Sequence, residues 1–419
     1  MRSAKHLVIG AGVHGLSTAW HLAEQGEQVL VVDKTDVAAG ASGIACGVVR
    51  NNYFQPAMQD LMAACVEIWE SDPETFAYHG SGYVALGDGA QEGDLTAVHE
   101  RQQRIGYESS LVLGEAEVAA HMRSLFPDWR APGLSVCLHE RSGGFAFNRD
   151  SMLGLASKAR AAGASIETGV EVTGFSFDGS GAVTRVETSA GPIGVEQVVV
   201  AVGPWVGRLW DMLELPRRLE VAGERREMWT YWYLQEGEIE GDPSVFVTAD
   251  GSLPPVLHVD SHAPLHADSG ELVTDEQWGI YFKQDKHSVQ GGASPLPKGH
   301  EFEVDPYPTG TVEPGFPDLW CAALSHCMER FEGSRPKYRD TRSGGVGAFT
   351  ADNFPVFDHM RPNVFVAADS NHGYKMIAVG REIARVLLGE HSSLLHPFRY
   401  ERFATGELHP VSHSPYPWS

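Results

Sequence analysis

His6-Leu7-Val8-Ile9 runs directly into Gly10-Ala11-Gly12-Val13-His14-Gly15, and the fold of the chain follows from that junction. Four apolar residues in a row predict a short buried strand, and the glycines a tight turn out of it. Leu16 to Gln25 reads as a helix stopped at Gly26, and Val29-Leu30-Val31-Val32 as a second strand closed by Asp33. Strand, helix and strand in this order form a right-handed βαβ unit on a parallel sheet. Gly10 permits the turn, Gly12 lets the backbone approach a pyrophosphate, and Gly15 lets the helix lie close to the sheet. The first helical amides and the helix dipole favour the phosphate charge. Asp33, 23 positions after Gly10, suits the hydroxyls of an adenosine ribose and would repel a 2′-phosphate, which disfavours NADP. Val13 and His14 inside the turn and Lys34 beside Asp33 are expected to border the same dinucleotide.

The pattern recurs further along. Helices are expected over 57–70 and 149–162, and Val198 to Val202 reads as a buried strand running into Gly203. Val364 to Ala368 reads as another strand, followed by a Gly373 turn and a helix over 377–388. Between 214 and 340 the texture changes, with Trp229, Tyr231, Trp232, Tyr233, Trp278, Tyr281 and Phe282 in strand-like alternation. This predicts an antiparallel sheet inserted between pieces of the nucleotide-binding unit, with 81–147 contributing to the same layer. The expected organisation is a discontinuous nucleotide-binding domain (1–80, 148–213 and 341–400), a second domain (81–147 and 214–340) and a tail (401–419).

The chain has 419 residues, 32 Lys+Arg and 55 Asp+Glu, for a formal net charge of −23. So acidic a surface repels phosphate backbones, and nucleic acid is not an expected partner. No apolar run approaches the ~20 residues of a membrane helix. The N-terminus enters the glycine motif without the apolar stretch and cleavage site of a secretory signal. Five cysteines, odd in number and without CxxC pairs, disfavour a disulfide framework, so a reducing cytoplasm is expected. Residues 214–313 carry 19 Asp+Glu against 7 Lys+Arg, which suits either a solubilising face or attraction of a cationic substrate.

Which dinucleotide is bound is decided outside the first unit. Gly40-Ala41-Ser42-Gly43-Ile44-Ala45-Cys46-Gly47-Val48-Val49-Arg50 is dense in small residues that admit a long ligand. It resembles the Gly-x-Ser-x-x-x-x-Gly-x-x-Arg segment of the FAD-dependent amine and amino-acid oxidoreductases related to D-amino-acid oxidase. The similarity is to the sarcosine oxidase, glycine oxidase and dimethylglycine dehydrogenase group. Val199 to Trp205 resembles the inner flavin strand of that group, and Val172 stands where the group holds adenine by its backbone. Asn371-His372-Gly373-Tyr374-Lys375-Met376 resembles its Gly-His-Gly-Phe-Lys motif.

The resemblance implies a Rossmann-type FAD-binding domain joined to an antiparallel α+β substrate domain. It implies a C–H hydride passing from a secondary or tertiary amine to flavin N5, and hydrolysis of the imine to an aldehyde and the dealkylated amine. The chemistry is the cofactor's; the protein orients the substrate. The implied substrate is an N-methyl amino acid or related small amino acid, whose carboxylate Arg50 and Lys375 clamp; a guanidinium fork suits a carboxylate. His372 is a candidate hydrogen-bonding partner near the flavin. From the length of this sequence, the folate-binding extension of some dimethylglycine-type enzymes is not expected.

Three departures from the group stand out. Where many relatives tether FAD through a cysteine the chain reads Gly344-Gly345, so FAD is expected to be non-covalent. The oxygen-activating lysine of the oxidases, in a strand ending Lys-x-Gly, has its counterpart in Gln290 of Val289-Gln290-Gly291-Gly292, with Lys283 one strand earlier as a substitute. Either O2 or a redox carrier therefore remains open as electron acceptor. A tyrosine over the substrate in some members appears as Gly347. A larger or non-carboxylate amine, a non-catalytic nucleotide-binding protein and an NAD-dependent dehydrogenase are the competing readings.

His258, His262 and His266 are spaced four apart, which on a helix would align three metal ligands, but Pro264 and the Pro254-Pro255 pair argue for a loop, and no metal is expected. Tyr231, Tyr233 and Tyr281 are candidates for substrate contact from one face of the inserted sheet.

Overall fold

The computed structural model describes residues 2–294, 299–300, 303–305, 307, 312–339, 345–369 and 372–416. At its centre the strand Arg2–Ile9 lies between Val29–Asp33 on one side and Ile193–Val200 on the other, both parallel to it. Ser165–Thr168 extends the sheet beyond Val29–Asp33, again in parallel. Ile193–Val200 is shared along its length: its start pairs with Val183–Thr188, and Val198 to Val200 pair in parallel with Val364 to Val366. The order thus reverses direction at Arg2–Ile9, the topological switch point at which open α/β sheets bind ligands beyond the carboxyl ends of their strands.

Helix Val13–Glu24 covers one face, packed between helices Asn148–Ala161 and Ala378–Leu387. The approach is close because Gly380 faces it: a Cβ there would stand 2.3 Å from the Thr18 amide nitrogen. These helices begin and end within three residues of their expected positions, because Gly26, Gly163 and Gly389 stop periodic segments.

A second sheet of seven strands runs in the order 236–240, 288–294, 278–285, 256–261, 83–87, 136–140 and 109–113. It unites strands from both sides of the helix Asn148–Ala161. It is not wholly antiparallel, since Val256–Ser261 and Tyr83–Gly87 pair in parallel. The aromatic set also divides. Trp278, Ile280 and Phe282 fill one face of this sheet, against helix Phe316–Cys327. Thr230–Tyr233 pairs instead with Val346–Phe349, so Trp229 and Tyr231 are buried against the nucleotide-binding sheet.

The final segment is docked. Arg402 and Asp352 form a buried two-pronged ion pair at 2.9 Å, which holds the helix Arg402–Thr405. Beyond it, Gln55 Nε2 and Gln91 Nε2 donate to the carbonyls of Pro410 and His413, and Ser294 Oγ to that of Pro415. Among the described residues no helix is long and apolar enough to cross a membrane, and all five cysteines are buried free thiols.

Candidate active site and cofactor cleft

The carboxyl ends of the parallel strands open into a cleft of about 1080 Å³, bounded by Gly10, Gly12, Val13 and His14. Gly10 has φ +109°, and a Cβ on it would meet the Ala201 carbonyl oxygen at 2.2 Å. Gly15 lies beneath the turn rather than on the cleft: its Cβ would fall 1.9 Å from the Gly10 oxygen. Both positions therefore require glycine for packing. The helix that follows has neither a side-chain cap nor an acid in its first turn, so its N-terminus is electrostatically open to an anion.

Asp33 ends its strand at the cleft wall, its Oδ2 accepting the Ala11 N–H at 2.8 Å and its Oδ1 the Thr35 N–H at 2.9 Å. A carboxylate has about four acceptor sites, so ribose hydroxyls find room on the same group. Ala41 and Ser42 line the opposite wall, where Ser42 Oγ accepts the Val13 N–H at 3.2 Å. Val172 and Gly203 border the cleft as well. Lys34 and Trp205 form a clasp over it: both bond to Asp305, at 2.6 Å and 2.9 Å, and the ammonium sits 4.2 Å from the indole centroid. His14 lines the cleft with both ring nitrogens lacking a hydrogen-bond partner, and burial lowers its pKa to about 4, so it is neutral at physiological pH. Small residues, open helix amides, the acid and an unpartnered imidazole together fit a dinucleotide.

At Ala41, Ala45 and Tyr374 the cleft adjoins a second chamber of about 960 Å³. Arg50 and Lys375 both line it, although 325 positions separate them. They gather around one ring: the Arg50 guanidinium lies 4.2 Å and the Lys375 ammonium 5.9 Å from the Tyr53 centroid. Burial disfavours the charge on Arg50, but Tyr83, Tyr53, Glu140 and Asp260 outweigh that and raise its pKa. Gly345 lines the same chamber. Tyr374 joins the two cavities, its hydroxyl sharing a hydrogen bond with Ser151 Oγ at 2.6 Å.

Other expected site residues lie elsewhere. His372 lines neither cavity; it is fully buried, stacked on Phe354 at 5.3 Å, with its amide donating to Asp369. Its Nδ1 lies 3.6 Å from Asp369 Oδ2, so it backs an acid that lines the cofactor cleft and does not itself reach either cavity. Met376 is a core residue between the turn Gly373–Lys375 and the helix Ala378–Leu387. Gln290 stands behind the chamber wall, where its amide donates to Glu236 Oε2 at 3.0 Å. Lys283, its cross-strand partner, is buried away from both cavities, 3.6 Å from Asp285. Gly347 does not face the chamber, since its Cβ direction is filled by the Phe349 ring. Of the three candidate tyrosines, Tyr281 lines the chamber, whereas Tyr231 and Tyr233 do not. His258 is a buried strand residue bonded to Asp260, and His262 bonds to Asp88, so strand pairing pulls the histidines apart. Asn371 and Gly344 lie outside the described residues.

Several residues of the chamber are not evident in the sequence. Glu236 reaches from the roof sheet to the Cys46 amide at 3.0 Å and tethers the loop that leads to Arg50. Tyr83, His258 and Tyr416 complete the wall. Glu140 lies beneath it, fully buried, accepting the Asn51 N–H at 2.9 Å and Gln102 Nε2 at 2.6 Å. Only tertiary pairing brings these groups together, and no local spacing announces it.

A dinucleotide cleft at a switch point, adjoining a chamber with two cations, defines a dinucleotide-dependent oxidoreductase. The chain belongs to the DAO family of FAD-dependent oxidoreductases, whose family model matches residues 5–386, and FAD is its cofactor. Peroxisomal sarcosine oxidase of Homo sapiens is 23% identical over 96% of this chain and 97% of its own length. Glycine oxidase of Pseudomonas putida is 28% identical over 51% of this chain and 60% of its own length. Among solved structures, L-proline dehydrogenase from P. horikoshii superposes with a TM-score of 0.78 at 19% identity, covering 97% of this chain and 99% of that one.

Proposed function

We propose that this enzyme oxidises the C–N bond of a small secondary or tertiary amine bearing a carboxylate, an N-methyl amino acid or close relative. The resulting imine hydrolyses to an aldehyde and the dealkylated amine. The observation that carries this reading is the convergence of Arg50 and Lys375 on one chamber that abuts the cofactor cleft. FAD, when bound, supplies the two-electron oxidant. The turn at Gly10 to His14, with Asp33, Ser42 and Val172, holds it. Arg50 and Lys375 take the substrate carboxylate through charge-assisted bonds, which are stronger than bonds between neutral groups. The roof sheet and Tyr416 close the chamber above the substrate.

FAD attachment is non-covalent on this reading, since Gly345 offers no nucleophile. Among the described residues lining the chamber, Lys375 is the one lysine, and Gln290 stands behind the wall. This favours a carrier over O2 as electron acceptor. The test is an anaerobic screen in which sarcosine, N,N-dimethylglycine, L-proline, glycine and amines without a carboxylate are mixed with the yellow protein. Bleaching by carboxylate amines, with slow recovery in air and fast recovery with a redox dye, is expected. A flavin bleached only by amines without a carboxylate would overturn the role of Arg50 and Lys375.

A further inference from the structure

Three buried polar side chains form a continuous chain in the wall of the chamber. Tyr83 Oη lies 2.7 Å from His258 Nδ1, and His258 Nε2 lies 2.8 Å from Asp260 Oδ1. Tyr83 and His258 line the substrate chamber; His258 and Asp260 also line a separate small cavity on the far side. The partners dictate the tautomer. A carboxylate only accepts, so His258 carries its hydrogen on Nε2, and Nδ1 accepts from the Tyr83 hydroxyl. Every bond in the chain therefore points the same way, from the chamber towards Asp260.

We infer that Tyr83, His258 and Asp260 are a proton relay that deprotonates the bound cationic amine and carries its proton out of the chamber. The inference rests on the proposed amine substrate. A protonated amine has no lone pair, and loss of a Cα hydrogen with its bonding electrons would leave two positive charges on adjacent atoms. One proton must leave first. The ammonium N–H proton passes to Tyr83 Oη, and the hydroxyl proton of Tyr83 passes to His258 Nδ1. The amine is left neutral, and the imidazolium is balanced by the Asp260 carboxylate. No electrons are exchanged; the proton on Nε2 then leaves through Asp260 to water in the outer cavity, which leaves the Nδ1–H tautomer. Once product has left, uptake of a proton at Nε2 from the outer cavity and return of the Nδ1 proton through Tyr83 to water in the chamber restore the starting tautomer. Burial raises the pKa of Tyr83 well above the ordinary range, so it acts as a neutral conduit and is never a phenolate.

The groups facing His258 are consistent with this task. Asp260 lies on its own strand, Tyr83 on one neighbouring strand and Tyr281 on the other. Tyr416 stacks edge-on at 5.3 Å, and Asp94 lines the outer cavity. Arg50 sits 5.5 Å from the Tyr83 centroid, with Glu140 opposite Tyr83 in the sheet. Arg50 is the cation of the set and is offset by Glu140 and Asp260.

The test is stopped-flow anaerobic bleaching of the holoenzyme by sarcosine and L-proline between pH 6 and 10, for wild type, Tyr83→Phe and His258→Gln. General-base assistance is typically worth about 10²–10⁴-fold. Each variant is expected to lose that factor at pH 7 and to close the gap to wild type progressively as pH rises towards 10, where a growing fraction of the substrate enters neutral. A loss of equal size at every pH, or none, would overturn the relay while leaving the proposed function standing. A wild-type flavin that neither amine bleaches would overturn both. A second measurement does not depend on folded variants or turnover: ¹⁵N-histidine spectra should show His258 as the Nε2–H tautomer, and the Nδ1–H form would overturn the direction of transfer.

Discussion

Replacing Glu140 by glutamine isolates the cost of keeping a carboxylate beneath the chamber. Glu140 is fully buried, and burial drives its pKa from 4.5 to about 7 despite the opposing pull of the Asn51 amide, Gln102 and Arg50. Each pKa unit corresponds to about 1.4 kcal/mol, so the folded state bears a penalty on the order of 3 kcal/mol once the group is ionised. Because the folded pKa is raised, the associated stability is fully present below the unfolded value of 4.5 and is lost as pH rises through about 7. Between pH 5.5 and 8 the change amounts to about 2 kcal/mol. Glutamine does not titrate, and Gln102 accommodates it by rotating its amide, since Gln102 Oε1 has no partner in the native arrangement. Arg50 stays charged throughout, so losing its partner adds only a constant offset. Urea unfolding at fixed free FAD, at pH 5.5 and 8, measures the effect. Relative to wild type, Glu140→Gln should be more stable at pH 8 than at pH 5.5 by about 2 kcal/mol. Buried histidines with depressed pKa values, such as His14 and His409, lose stability as pH falls, but they cancel in the variant-minus-wild-type difference. A difference independent of pH would refute the reasoning.

Gly15→Val should abolish FAD retention, because its Cβ would lie 1.9 Å from the Gly10 oxygen and force helix and turn apart; flavin absorbance after desalting reads this out. Lys375→Met should weaken binding of sarcosine by about 10–100-fold, the worth of one charge-assisted bond, and spare amines without a carboxylate. Arg402→Met should cost about 3–5 kcal/mol by stranding the buried Asp352 carboxylate, and Asp352→Asn in the same chain should recover much of it. If residues 214–313 steer a cationic substrate, kcat/KM should fall as ionic strength rises, whereas a flat dependence would assign their acidity to solubility.

The nucleotide-binding half was legible because its signals are local. The apolar run into Gly10, the stop at Gly26 and the acid at Asp33 each act within a few residues, and the strand–helix–strand unit forms as read, with Gly10 and Asp33 on the cleft. Arg50 and Lys375 were found through motif resemblance, which a spacing argument alone would not supply. His372 and Met376 show the limit of that route: motif neighbours on a tight 3-10 turn point in different directions, so Gly373, Tyr374 and Lys375 face cavities while His372 and Met376 do not. Glu140, Glu236, Tyr83 and His258 were illegible because their roles arise from strand register. The parallel pairing of 256–261 with 83–87 aligns His258 with Ala85, next but one to Tyr83, and nothing in either strand encodes that partnership.

The charges of the chamber are divided by the segments that carry them. Arg50 and Lys375 belong to stretches that also border the cofactor cleft, whereas Glu236, His258 and Asp260 belong to the seven-stranded roof. A molecule with a carboxylate at one end and an amine at the other therefore has one favoured orientation, carboxylate towards the two cations and nitrogen towards the roof. Reversal would bring each charge against its like in a region of low dielectric, where such contacts cost far more than in water. On the proposed function and relay, discrimination comes from the polarity of the chamber rather than from its shape, and it requires both halves: a substrate lacking the carboxylate loses the anchor, and one lacking a protonatable amine has nothing to give the relay. On the proposed function, the acidic surface outside and the cations inside act on opposite ends of the same substrate.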